Sequence, residues 1–306
     1  MRAPPADESR LCHDPHVAER ELPPRPPRSE TRQVVELRAL RARQPELADA
    51  VDMHLELLEL ERRVQARASL PLLELNATIM ARHQAEARPL LKFEDVPLDL
   101  TDLRLVLRQT SDVMRRYGAL EDRDHQAVQA LGRDMKLLTV VAAWYRTAAH
   151  RYLAGVGSSS APEPAIDETV SQVLTQAMRP FLSRCAEVLQ QRTDLSTWTH
   201  SHCALCGGEP DFAVITPSAE RHLICSRCAL RWKFAPLTCP YCHNSDRSQI
   251  TSFATADGLY RVYACDVCRR YLKAYDGRRA SRPVMPVVDS VATLPLDAAA
   301  MQRGYG

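Results

Sequence analysis

The sequence predicts an α + small β protein: an all-helical N-terminal bundle followed by two tandem four-cysteine modules of the zinc-ribbon-like kind. Three observations carry that prediction. Apolar residues recur at three- and four-residue steps from about residue 31 to residue 194. Beyond that point the periodicity stops, and short β-branched or aromatic runs bounded by turn residues take over. Into this second part fall eight of the ten cysteines, arranged as four C-x-x-C pairs.

Residues 1–30 are rich in proline and charge, with Pro4, Pro5, Pro15, Pro23, Pro24, Pro26 and Pro27. They offer too little apolar surface to offset the entropy of ordering, so a disordered start is expected. Residues 31–197 read as the helical bundle. Leu47, Val51, Leu55, Leu58 and Leu60 mark a helix over 46–67, and Leu103, Leu107, Val113 and Met114 mark another over 101–117. The longest pattern covers the 33 residues of 121–153, with Val128, Leu131, Met135, Leu138, Val141, Tyr145, Ala149 and Tyr152 on one face and a break expected near Gly132. The last helix covers 169–191 through Val170, Leu174, Met178, Phe181, Cys185 and Val188. Pro180 is expected to kink or divide it, because proline cannot donate the helical hydrogen bond. Residues 155–164 are expected to form a flexible loop. Small antiparallel strands are expected over 212–216, 249–253 and 259–263.

A length of 306 residues suggests two domains and a core large enough that metal is not needed to hold the whole chain together. The composition, 45% hydrophobic and 25% charged, is that of an ordinary soluble protein. A net charge of +2 argues against a dedicated nucleic-acid binder. No apolar stretch near the start has the form of a signal peptide, and nowhere do about 18 apolar residues run together. No membrane insertion is expected, and a cytoplasmic location follows as the default.

In a reducing compartment, thiols spaced as C-x-x-C read as metal ligands. The two intervening residues let one tight turn aim both sulfurs at one point, and two such turns supply four thiolates to a tetrahedral ion. The pairs are separated by 18, 10 and 22 residues. The longer spacers suit hairpins, so Cys203, Cys206, Cys225 and Cys228 are grouped in the first module, residues 198–236. Cys239, Cys242, Cys265 and Cys268 are grouped in the second, residues 237–306. An interleaved grouping of the first and third pairs stays open. Four protein ligands leave no position for water or substrate, which makes these structural sites. By geometry and softness, zinc and a single iron fit equally well.

Residues 198–306 carry 13 Arg and Lys against 9 Asp and Glu, a difference of +4. Two divalent ions with four thiolates each contribute −4 in all, so the metallated part is near neutral. Arg231, Trp232, Lys233 and Phe234 interleave basic and aromatic residues, but a tryptophan packed under the ribbon between two solvated charges explains them as well. Cys185 falls on an apolar helix face and reads as a core thiol, while Cys12 has no partner. His202 and His222 flank cysteine pairs that already supply four ligands each. His54, His83, His125 and His150 have no His or carboxylate partner at metal spacing. No phosphate loop, nucleophile elbow or zinc-hydrolase motif occurs, so no catalytic residue and no enzyme activity are expected.

The knuckles in sequence carry a resemblance. Cys203-Ala204-Leu205-Cys206-Gly207 is followed by Leu223-Ile224-Cys225-Ser226-Arg227-Cys228 with Trp232, by Cys239-Pro240-Tyr241-Cys242, and by Ala264-Cys265-Asp266-Val267-Cys268 running into Tyr271-Leu272-Lys273. Val288-Asp289, Ala292-Thr293-Leu294 and Leu296-Asp297 complete the series. In this order the residues resemble the FdhE-type accessory proteins of formate dehydrogenase biogenesis. The chain departs from that pattern at Arg231, where members tend to carry an acidic residue, and at Leu237 and Thr238, where they tend to be basic. The resemblance implies a helical domain joined to two rubredoxin-like modules, with iron favoured at the cysteines and zinc as a frequent substitute. It implies a cytoplasmic protein that contacts the catalytic subunit of a molybdenum or tungsten formate dehydrogenase before export or final assembly. Asp289, Thr293, Asp297, Tyr271 and Lys273 match it and would either touch that partner or orient the last segment. Two alternative functions stay in view: a rubredoxin-like electron carrier, and a zinc-ribbon nucleic-acid module whose binding would weaken steeply with salt.

Overall fold

Asp99 shows how the helices begin: its side chain accepts from the Asp102 amide at 2.8 Å and starts α4 (Leu100–Arg116). Leu103, Val106, Leu107, Val113 and Met114 then recur on its buried face, and Arg115 and Arg116 in the last turn suit the helix C-terminus. Asp167 starts α7 (Glu168–Arg192) in the same way, accepting from the amides of Thr169 and Val170. The structure, a computed structural model, describes residues 31–69, 71, 76–153 and 166–306. The proline-rich start, Cys12, the loop expected over 155–164 and the side chain of His150 lie outside the described set.

The other helices are α1 (Arg32–Arg43), α2 (Ala48–Gln65), α3 (Ala77–Ala85), α5 (Asp122–Leu131), α6 (Leu137–Leu153), α8 (Pro286–Ala292) and α9 (Leu294–Gln302). The pattern over 121–153 is therefore two helices, broken at Gly132, where a Cβ would come within 2.9 Å of the Arg108 side chain. Met135, placed on the apolar face by periodicity, lies in the connecting turn and is 93% exposed. Pro180 does not divide α7. Packing of Met178, Phe181 and Leu182 on either side of it holds the helix continuous.

Past the helices the chain forms β1 (Pro210–Ile215), β2 (Arg221–Cys225), β3 (Arg231–Lys233), β4 (Ile250–Ala254), β5 (Tyr260–Cys265) and β6 (Tyr271–Asp276). Each cysteine module contributes three antiparallel strands. A parallel pairing of β1 with β6 (Phe212 opposite Lys273, Ile215 opposite Asp276) joins them into one six-stranded sheet of order β3-β2-β1-β6-β5-β4.

The largest core is continuous across the molecule. Leu103, Trp144, Phe181 and Cys185 of the helices pack in one cluster with Leu205, Cys206 and Trp232 of the first module. A second cluster ties α8 to α1 and α2 through Leu37, Leu40, Val51, Val288 and Val291. Between α1 and α8, Arg282 bridges Glu36 at 3.8 Å and Asp289 at 2.6 Å. Among the described residues no helix is long and apolar enough to cross a membrane.

Candidate metal centres

All four C-x-x-C turns are built alike. The amide of the first cysteine donates to the carbonyl five residues on: Cys203 to Gly208, Cys225 to Leu230, Cys239 to Asn244 and Cys265 to Arg270, at 2.9 to 3.0 Å. The residue after the second cysteine donates back to the carbonyl of the first and closes the turn. That residue sits in the left-handed region each time: Gly207 (φ 73°), Ala229 (58°), His243 (61°) and Arg269 (61°). Only the first is glycine, so the fold holds three side chains in a conformation that L-residues disfavour.

These turns bring the cysteines together in two groups, Cys203, Cys206, Cys225 and Cys228, and Cys239, Cys242, Cys265 and Cys268. Within each group the sulfurs lie within 4.8 Å of one another. The interleaved grouping does not occur. Sulfur pairs are 3.5 to 3.7 Å apart in the first group and 3.6 Å in the second. Those separations are far beyond a disulfide bond, and close to the roughly 3.8 Å edge of a tetrahedron with metal–sulfur bonds of about 2.3 Å. The amide of Arg227 points at the Cys225 sulfur at 3.4 Å, and the amides of Val267 and Cys268 bond the Cys265 sulfur. Such donors favour the thiolate form. The donor set fits a thiophilic ion such as zinc or iron with four protein ligands, and either group could hold one metal ion.

The surroundings differ. The first group is sealed, with every cysteine at most 1% exposed. The connection after α3 roofs it: the amides of Leu90 and Leu91 donate to the carbonyls of Ala204 and Leu205 at 2.8 and 2.9 Å. Arg227 lies 4.0 Å over the Trp144 ring and donates to the carbonyls of Trp144 and Tyr145 at 3.1 Å. Gly208 allows the closest approach, since a Cβ there would meet the Cys225 sulfur at 2.8 Å. In the second group Cys239 and Cys265 are buried, but Cys242 and Cys268 are partly exposed. Asn244, which corresponds to Gly208, instead points its amide toward the Cys265 sulfur at 3.9 Å.

The remaining candidates fall into place around these groups. Cys185 is fully buried in the shared core, and burial pushes its thiol up to about 12. His202 is buried with Nε2 2.9 Å from the Ala87 carbonyl, and burial lowers it to about 4. His222 is half-buried beside Glu220, and neither histidine joins a cysteine group. His125 does have a carboxylate partner, Asp112 at 2.8 Å, which sequence spacing does not reveal because it sits on another helix. Trp232 packs under the sheet and donates to the His200 carbonyl at 2.9 Å. Arg231 donates to the Val284 carbonyl and is half-buried; Lys233 pairs with Glu220 at the surface. Asp289 is fully buried, accepting from Tyr260, Arg282 and the Met285 amide, and Thr293 donates to its carbonyl. These two orient the last segment.

Asp297 is placed differently. It accepts from Tyr271 at 2.8 Å and Lys273 at 2.6 Å in the wall of a cavity of about 500 Å³ between α2, the β1–β6 junction and α8–α9. His54, Glu209, Asp211, Ser226 and Tyr241 also line it. Sequence reasoning singled out none of these five for a cavity, because they come from four segments with no common spacing.

The chain is thus a helical bundle sharing its core with a six-stranded sheet that carries two four-cysteine groups, each of which could hold a metal ion. No protein-family model matches the chain. It is 27% identical over 135 residues to the protein FdhE homolog of Actinobacillus pleuropneumoniae serotype 3, covering 43% of this chain and 44% of that relative. It is 30% identical over 113 residues to the protein FdhE homolog of Stutzerimonas stutzeri, covering 34% of this chain and 35% of that one. The match therefore spans less than half the length of these relatives. In fold, 90% of the chain overlays on 91% of the crystal structure of the FdhE protein from Pseudomonas aeruginosa, with a TM-score of 0.58 and 18% sequence identity. The sequence matches are to proteins of the family that the residues around the four knuckles resemble, and the overlay shows a shared fold.

Proposed function

We propose that the protein is a cytoplasmic accessory factor for formate dehydrogenase, which binds the catalytic subunit of a molybdenum or tungsten enzyme during maturation, before export or final assembly. In this view residues 31–197 are the helical part, 198–236 the first metal module, and 237–306 the second module with its tail. Each cysteine set holds one ion, iron by resemblance or zinc in its place. The ions serve to fix structure or to sense redox state. They catalyse nothing, because four thiolates leave no position for a substrate.

The observation that carries this proposal is the joint cavity of helices and sheet. Sites between packed units are common places for binding, and this one borders both metal modules through Ser226 and Tyr241. Several of its charges are already matched, Lys273 with Asp297 and Arg270 with Glu209. Asp211 is exposed on the cavity wall, where the charges of Arg179 and Lys273 act on it, and is the carboxylate we assign to the partner. Tagged full-length protein should retrieve the catalytic subunit from cells making the enzyme, and Asp211→Asn should reduce the yield. Failure to retrieve that subunit would count decisively against the role.

One observation favours a second reading, the rubredoxin-like electron carrier: the partial exposure of Cys242 and Cys268 leaves the second centre near solvent. Iron-loaded protein without a reversible one-electron couple would remove it.

A further inference from the structure

Arg221 is the odd charge in the sheet. It lies on β2 of the first module and is 5% exposed. Its Nη1 donates to the carbonyls of Thr238 at 2.8 Å and Ala235 at 3.4 Å, in the connection that leads to Cys239. Its guanidinium sits 5.8 Å from the Phe234 ring and 5.9 Å from the Tyr263 ring. Its Nε and Nη2 are buried and have no hydrogen-bond partner among the described residues. A guanidinium does not give up its proton in a protein, so this is a buried cation.

Burying a cation with no countercharge is strongly unfavourable. The groups that act electrostatically on Arg221 are Tyr263, Tyr241 and Cys239, with no carboxylate among them. Arg270 lines the same narrow cleft, together with Cys239 and Cys265, but its charge is matched by the Glu209 carboxylate at 2.7 Å. The remaining source of negative charge beside Arg221 is the second cysteine set. Neutral thiols would not supply it. A divalent ion with four thiolates carries −2 and would.

We propose that Arg221 is the buried counter-ion of the second centre, so that metal at Cys239, Cys242, Cys265 and Cys268 and the burial of this first-module arginine stabilise each other across the module boundary. The dependence runs both ways, as linkage requires. Arg221 tightens metal binding at the second set, and without metal it burdens the fold. Arg221 would then make a properly paired first module a condition for tight loading of the second. The inference rests on the proposed metal ligation by that set.

The test uses full-length zinc-loaded protein, challenged with graded chelator, with released sites read by which cysteines become alkylated. Arg221→Met keeps the bulk and removes the charge. It should move release from the second set to a chelator concentration lower by on the order of tenfold to a hundredfold, the usual effect of altering an outer partner of a metal site. Release from the first set should stay where it was. Arg221→Lys keeps the charge but not the forked bonds to Ala235 and Thr238, and should remain close to the parent. Metal-free Arg221→Met should unfold no more easily than the metal-free parent. Unchanged release from the second set in Arg221→Met overturns the inference, as does a fall in Arg221→Lys equal to that in Arg221→Met, or loss of both sets together. A parent protein that takes no zinc at the second set fails on the ligand assignment itself, which separates that failure from the others.

Discussion

The two cysteine groups share every backbone hydrogen bond of their turns, yet one lies inside the molecule and the other at its edge. In the first, all four sulfurs are buried, and the roof comes from the connection after α3 through Leu90 and Leu91 and from α6 through Trp144 and Tyr145. In the second, two cysteines reach solvent and the wall is the sheet itself, with the Arg269 guanidinium stacked 4.2 Å from Tyr305 nearby. The turn fixes how sulfurs converge, while the packing around it decides what the centre supports. Disturbing the first should disturb the junction of helices and sheet. Disturbing the second should stay local.

The largest expected effect follows from that contrast. Cys206→Ser should cost the metal of the first set and, with it, a stabilisation on the order of 10 kcal/mol for a closed four-thiolate site. A domain of ordinary stability does not survive such a loss. Thermal unfolding and protease sensitivity should show the sheet and the neighbouring helices failing together. Cys242→Ser should remove one equivalent of metal and leave the helical signal and the first set intact. Equal damage from the two substitutions would break the comparison.

Gly208 and Asn244 sharpen it at the level of one atom. They occupy corresponding positions after the two leading knuckles. Gly208→Ala drives a methyl group to 2.8 Å from the Cys225 sulfur and 3.2 Å from the Arg227 side chain. In a sealed site this overpacking should cost about 1–3 kcal/mol and lower metal occupancy of the first set. Asn244→Ala removes a long contact of 3.9 Å to Cys265 and a bond to the Asp246 carbonyl at 3.3 Å. Its cost should stay below about 1 kcal/mol. Denaturant titration with metal analysis of each variant compares the two directly.

What the sequence made legible is the local part of this contrast. The spacing of eight cysteines yielded the grouping now seen in space, because a C-x-x-C turn and a hairpin are short-range structures. The same holds for α4 and α7, whose apolar stripes and Asp caps are written within a few residues. The long-range part was hidden. Nothing near Phe212 or Lys273 announces that β1 and β6 pair in parallel, since that register depends on two modules already folded. Helices α8 and α9 fall inside the stretch 237–306, which the cysteine spacing assigns whole to the second module. Pro286 at the first position of α8, with Val288 and Val291 three apart behind it, was the signal that could have found the first of them. Exposure differed most from expectation where a turn intervened, as at Met135. The cavity, and the buried charge of Arg221, draw on residues too distant in sequence to form any pattern.

Arg227 tests whether the roof over the first centre is held by polar bonds as well as by the core. Arg227→Ala leaves the carbonyls of Trp144 and Tyr145 without their guanidinium partner and uncovers the Trp144 ring. A loss of about 1–3 kcal/mol is expected, with first-set metal exchange faster than in the parent, because opening the roof is the path to these sulfurs. Exchange at the second set should not change. Acceleration at both sets would mean that the roof guards the whole sheet.

The smallest effect concerns the cavity that touches both modules, and it appears as a pH dependence. His54 has Nδ1 2.8 Å from the Ala50 carbonyl. Burial, the largest influence, lowers its pKa; the bond to Ala50 opposes this, and the charge of Arg179 adds to it. Glu209, Asp211, Arg270, Lys273 and Asp297 line the cavity it faces. A histidine held below its ordinary value of about 6.5 binds its proton more readily in the unfolded chain. Stability from the neutral ring is therefore complete above about pH 6.5 and declines as pH falls through the lowered folded value. For one proton the slope cannot exceed about 1.4 kcal/mol per pH unit. His54→Gln should flatten the loss of stability below about pH 6.5 by up to that slope, in unfolding experiments at fixed metal concentration. The metal sets titrate in the same direction, so only the difference between variant and parent reports on His54. A difference that does not change with pH would mean that the ring titrates alike in the folded and unfolded chain, and that the charges around the cavity offset the burial of His54.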